Sequence, residues 1–368
     1  MATETKAIGA PPIPVVDTER IGAERPANRR ATLRSFGVTF FAVVVLAAFL
    51  SPMLRTLTTA FKSTDQITET NSPLWPADPG TFMLEGEEYD VYMVNMPDGT
   101  MRELALVTKG RQQSEFIDPA NIAAGLIPWE GSWRSLDRTW ELAPKWENFG
   151  EVWEILDYPR LMFNTVALAI IGTIGTLLSC VLVAYGFARF RFPGRNLLFL
   201  LLLSTIFLPA AVTLIPTYTI FVKLGWVGTW LPLLVPAFFA NAYDVFLLRQ
   251  YFMTLPRELD DAAKIDGAGP LKILTSVILP QSWAVIIAVS VFHLVYTWNL
   301  YFEPLLYLSA KPDLQPIATG LAAFNSIYGS SPELVQAATL MTIVIPMVVF
   351  FLGQRAFMRG IVITGVEK

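Results

Sequence analysis

Six stretches of this chain are apolar over enough residues to cross a lipid bilayer as helices. They fall at residues 36–57, 161–187, 196–222, 229–252, 283–308 and 334–352. A helical span of roughly 30 Å of hydrocarbon needs about 20 such residues, so the pattern predicts an all-α polytopic membrane protein with six transmembrane helices. The polar stretches between them differ in kind. Residues 1–35 are rich in Pro, Ala, Thr and charge without apolar periodicity, and are predicted to be a disordered tail. The long polar segment 63–158 carries strand composition at 88–95 and 101–108, with Pro97, Asp98 and Gly99 as a turn between them. An inserted, extracytoplasmic β-rich domain is therefore expected there. The organisation expected is a tail at 1–35, a first helix at 36–62, the insert at 63–158, a membrane core at 159–354 and a tail at 355–368.

Basic residues orient this arrangement. Arg25, Arg29, Arg30 and Arg34 precede the first span, Arg189, Arg191 and Arg195 follow the second, and Arg355 and Arg359 follow the last. Positive loops stay in the cytosol, so six spans place both termini there. The first apolar run begins too late, and lacks a following small-residue cleavage site, for a signal peptide. Only 16% of residues are charged against 53% hydrophobic, where soluble domains carry about a quarter charged. The net charge of −4 argues against a nucleic-acid partner. Cys180 is the only cysteine and His293 the only histidine, which leaves no thiolate metal site or disulfide framework. No Gly-rich loop ending in Lys-Ser or Lys-Thr is present to cradle ATP phosphates, and no nucleophile with a base is visible. The chain is thus expected to be non-catalytic, with no cofactor of its own, and its energy to come from another subunit.

One polar stretch, 255–280, lies between two of the apolar segments. Pro256 suits a helix start, Glu258, Asp260 and Asp261 load the first turns with negative charge, and Asp266 and Gly267 offer a bend. Pro270 can then open a second helix, with Leu271, Leu274, Val277 and Ile278 at helical spacing. The prediction is a helix, a glycine turn and a helix, a knob shaped to dock into a groove of a soluble partner.

These residues resemble a known family. Asp261, Ala262, Ala263, Lys264, Ile265, Asp266, Gly267 and Ala268, with Leu279 and Pro280 following, look like the coupling loop of ABC importer permeases. The likeness continues through 184–195, 214–216, 246–250, 297–299 and 354–357, and is to the carbohydrate permeases of the maltose and glycerol-phosphate type. Two positions depart from the pattern: Asp261 stands for the usual Glu, and Val277 for a common Ile. The resemblance implies binding-protein-dependent import, in a bacterial or archaeal cytoplasmic membrane, of a di- or oligosaccharide, a polyol or a glycerol phosphate ester. It implies a second homologous permease, two copies of an ABC ATPase carrying ATP and Mg, an extracytoplasmic solute-binding protein and surrounding lipid as partners. Leu259, Asp260, Asp261, Ala262, Ala263, Asp266, Gly267 and Ala268 would then contact the ATPase. The loop at 309–332 resembles the one that reaches into the binding protein, and 355–368 the cytosolic tail near the ATPases. The insert is far longer than the outer loop of the family; packing, a lid and a docking surface for the binding protein all stay open as its role.

Within the spans, an ionisable Asp244 one helical turn from Asn241 either lines a cavity or is hydrated at the inner interface. Tyr296, Thr297, Trp298, Asn299 and Glu303, with Tyr301 nearby, place polar groups beside aromatic rings, as a sugar requires. An aromatic belt at the outer interface is the competing account. Where related permeases have Trp-Asn-Asp this chain has Trp298, Asn299 and Leu300. Gly172, Gly175, Thr176 and Ser179 form a small-residue face read as helix packing, and His293 is read as a structural histidine. Pro209 and Pro216 are expected to break the span at 196–222, and with Pro232 and Pro236 they mark either kinks around a pathway or fixed architecture. An ion-coupled secondary transporter and a membrane scaffold are the alternative classes; both leave the knob at 255–280 unexplained.

Overall fold

The computed structural model describes residues 29–96 and 99–362, with side chains from 36 to 354 in that range. These fall into two units divided between Leu54 and Arg55. The first is the body of one apolar helix, α1, which runs Arg29–Ala60 and so begins ahead of the expected boundary at 36. The rest of the expected tail, 1–28, lies outside the described residues.

In the second unit α2 (Thr64–Thr68) leads into a β region. Its strands are β1 (Ala77–Pro79), β2 (Thr81–Leu84), β3 (Glu87–Asn95), β4 (Met101–Thr108), β5 (Gln113–Ile117), β6 (Ile127–Glu130), β7 (Asp137–Arg138) and β8 (Trp140–Leu142). The order β2-β3-β4-β5-β6 is antiparallel throughout, β7 pairs with β3, and β1 pairs with β8. Successive residues point to opposite faces of a strand. Accordingly Tyr92, Val94, Leu104, Leu106 and Phe116 bury one face of the sheet, and Val91, Ala105 and Ile117 the other. The strands expected at 88–95 and 101–108 are β3 and β4; of their turn, Pro97 and Asp98 lie outside the described residues, and Gly99 has φ +80°. Buried Gln66 of α2 ties the region together, donating to the Pro73 and Trp75 carbonyls and accepting from the Ala77 amide. Asn148 donates to the carbonyls of Ala60 and Lys62, capping the end of α1.

Helices make up the remainder: α3 (Glu147–Ile155), α4 (Tyr158–Arg189), α5 (Arg195–Ser204), α6 (Ala210–Lys223), α7 (Leu231–Leu234), α8 (Ala242–Thr254), α9 (Glu258–Ile265), α10 (Pro270–Ile273), α11 (Leu279–Gln281), α12 (Trp283–Trp298), α13 (Phe302–Tyr307), α14 (Ile317–Tyr328) and α15 (Pro332–Val362). Four segments are long and apolar enough to cross a membrane: Phe36–Ala60, Tyr158–Arg189, Leu231–Thr254 and Pro332–Gln354. Two bent pairs, Arg195–Phe207 with Ala210–Lys223 and Pro270–Gln281 with Trp283–Trp298, make six if each is one crossing. α4 is the hub. Cys180, Val181, Ala184, Tyr185 and Ala188 on it pack with Val245, Leu248 and Phe252 of α8, Ile273 of α10, and Ile286 and Val289 of α12.

The stretch at 196–222 is broken at Pro209 as expected: α5 and α6 meet at 97°, because Pro209 lacks an N–H and holds Leu208 extended, whereas the break expected at Pro216 is absent and that proline is absorbed within α6. Other expectations need correction. The stretch at 283–308 stops at Trp298, and Pro304 sits in the first turn of a new helix, α13, where a missing N–H costs nothing. The segment expected as a loop at 309–332 contains α14, folded onto α4. Asn164 donates to the carbonyls of Asp313 and Gln315, and the Ile317 amide donates to Thr165 Oγ1. Gly320 there is a site of close approach rather than a loop signal, since a Cβ would meet the Leu161 side chain. α15 runs Pro332–Val362, so the expected tail at 355–368 begins as a continuation of that helix; residues 363–368 lie outside the described residues.

Candidate functional site

Two arrangements carry the chemistry. The first is the knob at 255–281. α9 ends in a Schellman motif: the Gly267 amide donates to the Lys264 carbonyl at 3.0 Å and the Ala268 amide to the Ala263 carbonyl at 2.9 Å. Gly267 has φ +81° with open space around the position of a Cβ, so backbone conformation and not crowding calls for glycine. Pro270 opens α10, which passes through a wide π-type turn at Leu274–Ile278 into α11, and the chain then bends by 82° into α12.

The faces of this knob are sharply divided. Ala263 and Ala268 pack against the core around α4, with Ile273, Leu274 and Ile278 buried beneath them. Leu271, at helical spacing with Leu274, is 69% exposed, whereas Ile273 is buried. Leu259, Asp261, Ala262, Ile265, Asp266 and Gly267 are all on the outside. Asp261 Oδ1 accepts from Lys264 Nζ at 2.8 Å, and that hydrogen bond and charge hold its carboxyl below the usual carboxylate range.

Asp260 is the exception among the acidic residues of α9. It is buried and faces Arg189 at the end of α4, with Oδ2 3.2 Å from Nε. Arg189 Nη2 donates to the Leu255 carbonyl and the Tyr185 hydroxyl to the Pro270 carbonyl, at 3.2 and 3.1 Å. The last turns of α4 thus hold the knob at both its ends. Charge counting along the sequence assigns Arg189 to a basic loop and Asp260 to a helix dipole; no spacing rule pairs residues so far apart.

The second arrangement is a cavity of about 580 Å³. Asn241, Asp244, Tyr296 and Glu303 line it together, with Thr176, Phe221, His293 and Tyr307 among the residues that sequence reasoning did not assign to it. Its wall is an interruption. Phe239 and Asn241 are extended between the turn at Val235–Phe238 and α8. Asn241 caps α8, its Oδ1 accepting from the Asp244 amide at 2.9 Å and its Nδ2 donating to Asp244 Oδ2 at 2.7 Å. An N-cap residue with an acid three positions on is the signal that could have located this helix start. Irregular backbone at membrane depth is tolerated where it is buried or lines a cavity.

The other expected pathway residues lie elsewhere. Thr297 lines a small adjoining void of about 60 Å³ that shares His293 and Tyr296 with the larger one. Trp298 is buried in the cluster with Leu161, Ile317 and Phe324, because α12 turns that face towards α4 and α14. Asn299 is spent on its own helix end, donating to the Val295 carbonyl at 2.8 Å. The small-residue face of α4 serves packing: a Cβ on Gly175 would stand 2.8 Å from the Phe238 ring, and one on Gly172 3.3 Å from His293 Nε2. Thr176 Oγ1 lies 3.4 Å from both ring nitrogens of His293.

A polytopic helical core with a largely apolar, partly aromatic cavity that holds a few polar groups, and a knob with an exposed outer face, fits a membrane transport subunit. Residues 175–361 match the family model described as binding-protein-dependent transport system inner membrane component, and the chain belongs to that family. It is similar to the osmoprotective compounds uptake permease protein GgtD of Synechocystis sp., at 33% identity over 60% of this chain and 74% of the relative. It is similar also to the sn-glycerol-3-phosphate transport system permease protein UgpE of Yersinia enterocolitica, at 35% identity over 59% of this chain and 79% of the relative. Its fold is shared by a chain of a bacterial ABC transporter involved in the import of the acidic polysaccharide alginate, at TM-score 0.64 and 17% identity, over 90% of this chain and 99% of that one. The molecule is therefore an inner-membrane permease of the ABC importer type, and the ion-coupled alternative has no support. Homologues of this kind are permease subunits, which are non-catalytic. The β region, Ala77–Leu142, lies outside the stretch that matches the family model.

Proposed function

We propose that this chain forms half of the translocation pathway of an ATP-driven importer for a sugar, a polyol or a glycerol phosphate ester, and that α9 is its coupling helix. Six crossings with both termini in the cytosol put the knob at 255–281 on the cytosolic side. The β region is then an extracytoplasmic insert beside a docked solute-binding protein. A second homologous permease completes the pathway, and two ATPase subunits carry ATP and Mg. The observation that carries the reading is the division of α9 into a buried face tied to α4 and an outward face of Leu259, Asp261, Ala262 and Ile265.

Closure of the ATPases on ATP would move α9, and the Arg189–Asp260 pair would pass that motion to α4 without slack. Nucleotide-dependent contacts on the outward face supply the differential binding that such a change requires. In the cavity, Asn241, Asp244 and Glu303 offer hydrogen bonds to hydroxyls while Tyr296 and Tyr307 offer rings for the apolar face of a polyol or sugar. The test is ATP hydrolysis by the purified assembly in nanodiscs, with binding protein and a panel of maltose, trehalose, glycerol and glycerol 3-phosphate. Stimulation by one solute class supports the reading; hydrolysis indifferent to every solute and to the binding protein overturns it.

A further inference from the structure

The loop joining α4 to α5 and the residue that opens α9 meet in a second depression, of about 470 Å³. Arg191 and Arg195 line it from the loop side, and Arg257 from the N-cap position of α9, with Phe192 and Leu197 as its apolar lining. Neighbouring basic residues are committed elsewhere: Arg189 to Asp260, and Arg249 to the Phe187 carbonyl and the Phe199 ring. Arg191 and Arg257 are exposed and form no ion pair among the described residues. Arg195 spends only Nη1, on the Phe190 carbonyl. Three positive charges gathered in one concavity, none in an ion pair among the described residues although Arg257 feels the Asp261 carboxylate, make a site for an anion.

The surroundings decide which anion. α5 begins at Arg195, and Leu197, Leu198, Leu200 and Leu201 are all exposed on it. The depression therefore sits where a polar loop meets an apolar helix surface, and a ligand that fills it has a negative head and an apolar body. We propose that it binds the headgroup of an anionic phospholipid. The phosphodiester lies among Arg191, Arg195 and Arg257, whose planar guanidinium groups match phosphate oxygens in pairs, and an acyl chain runs along Leu197 and Leu201, one helical turn apart. Because Arg257 opens α9 while Arg191 lies in the α4–α5 loop and Arg195 opens α5, the lipid bridges the start of the coupling helix to the bilayer.

Native mass spectrometry of the full chain with its co-purifying subunits, supplied with phosphatidylglycerol or phosphatidylcholine of equal chain length, tests this. Wild type is expected to retain phosphatidylglycerol over phosphatidylcholine. R191Q/R257Q should lose that retention about tenfold or more, whereas R191K/R257K and the charge-matched R111Q/R134Q on the sheet region keep it. Equal retention of both lipids by wild type, or an unchanged preference in R191Q/R257Q, overturns the site. Displacement of the lipid by an equal concentration of soluble glycerol 3-phosphate assigns the pocket to a soluble phosphate ester and overturns the lipid claim. Lipid that binds only after the ATPase subunits are stripped away gives the arginines to a protein contact, and overturns it too.

Discussion

The coupling knob and the cavity solve opposite problems with the same helices. At the knob, polar contacts close a short segment onto the end of α4: a buried ion pair, two bonds to carbonyls at 255 and 270, and a Schellman turn between them. At the cavity, helices are interrupted: α8 starts afresh at Asn241, α12 stops at Trp298 and α13 restarts at Phe302. If α9 is the coupling helix and the cavity the pathway, the segment that transmits motion is the stiffened one and the segment that admits and releases a solute is assembled from helix ends. Helix ends expose unsatisfied backbone groups, which is why polar residues gather there.

Breaking the stiff side should have the largest effect. Arg189→Ala leaves the buried Asp260 without its ion-pair partner, with Oδ1 already lacking a hydrogen-bond partner among the described residues, and should cost about 3–5 kcal/mol of stability. A fluorescence melt of the detergent-purified chain reads this. R189M/D260M should recover most of the melting temperature and not the solute-stimulated ATP hydrolysis, which separates packing from coupling. Gly267→Val forces a β-branched residue to φ +81° at about 1–2 kcal/mol. Uptake into vesicles should vanish while the variant still inserts in the membrane; unaltered uptake would remove the coupling role.

On the open side the effects are smaller and of another kind. Asn241→Ala removes the cap of α8 and a partner of Asp244, at about 1 kcal/mol. It should change which solutes stimulate hydrolysis more than the basal rate, and an unchanged solute panel would detach Asn241 from the pathway. The smallest effect concerns pH. Lys264 lowers the folded pKa of Asp261, so this contact stabilises α9 above the ordinary carboxylate pKa and is lost as pH falls through the lowered value. Hydrogen-exchange protection in α9, with the intrinsic pH dependence of amide exchange divided out, should therefore be flat from pH 5 to 8 and fall only in acid. Protection already lost near neutral pH would contradict that assignment.

The two regions also differ in how far the sequence discloses them. The knob is contiguous, and its prolines, its glycine and its acidic first turn are local signals that specify helix, turn and helix before any packing is known. The sheet hairpin of β3 and β4 was legible for the same reason. The cavity was legible only in part: Asp244, Asn241, Tyr296 and Glu303 stood out as polar residues in apolar runs, but Trp298 and Asn299 carry the same signature and serve the core and a helix end. Whether a polar group faces a void depends on where helices break. Pro209 announced one break, yet the restart at Phe302 and the fold of α14 onto α4 rest on contacts between distant residues, such as Thr165 with Ile317 and Leu161 with Gly320. The Arg189–Asp260 pair is the same lesson in charge.

The measurement closest to the central claim is mass spectrometry of the proteins that co-purify with this chain in mild detergent, with wild type and Gly267→Val side by side. Recovery of an ATPase subunit, a second permease and a solute-binding protein with wild type, and loss of the ATPase alone from the variant, is the result predicted. A chain that comes out alone, or an ATPase retained equally by both, would contradict the assignment of α9 as the coupling helix.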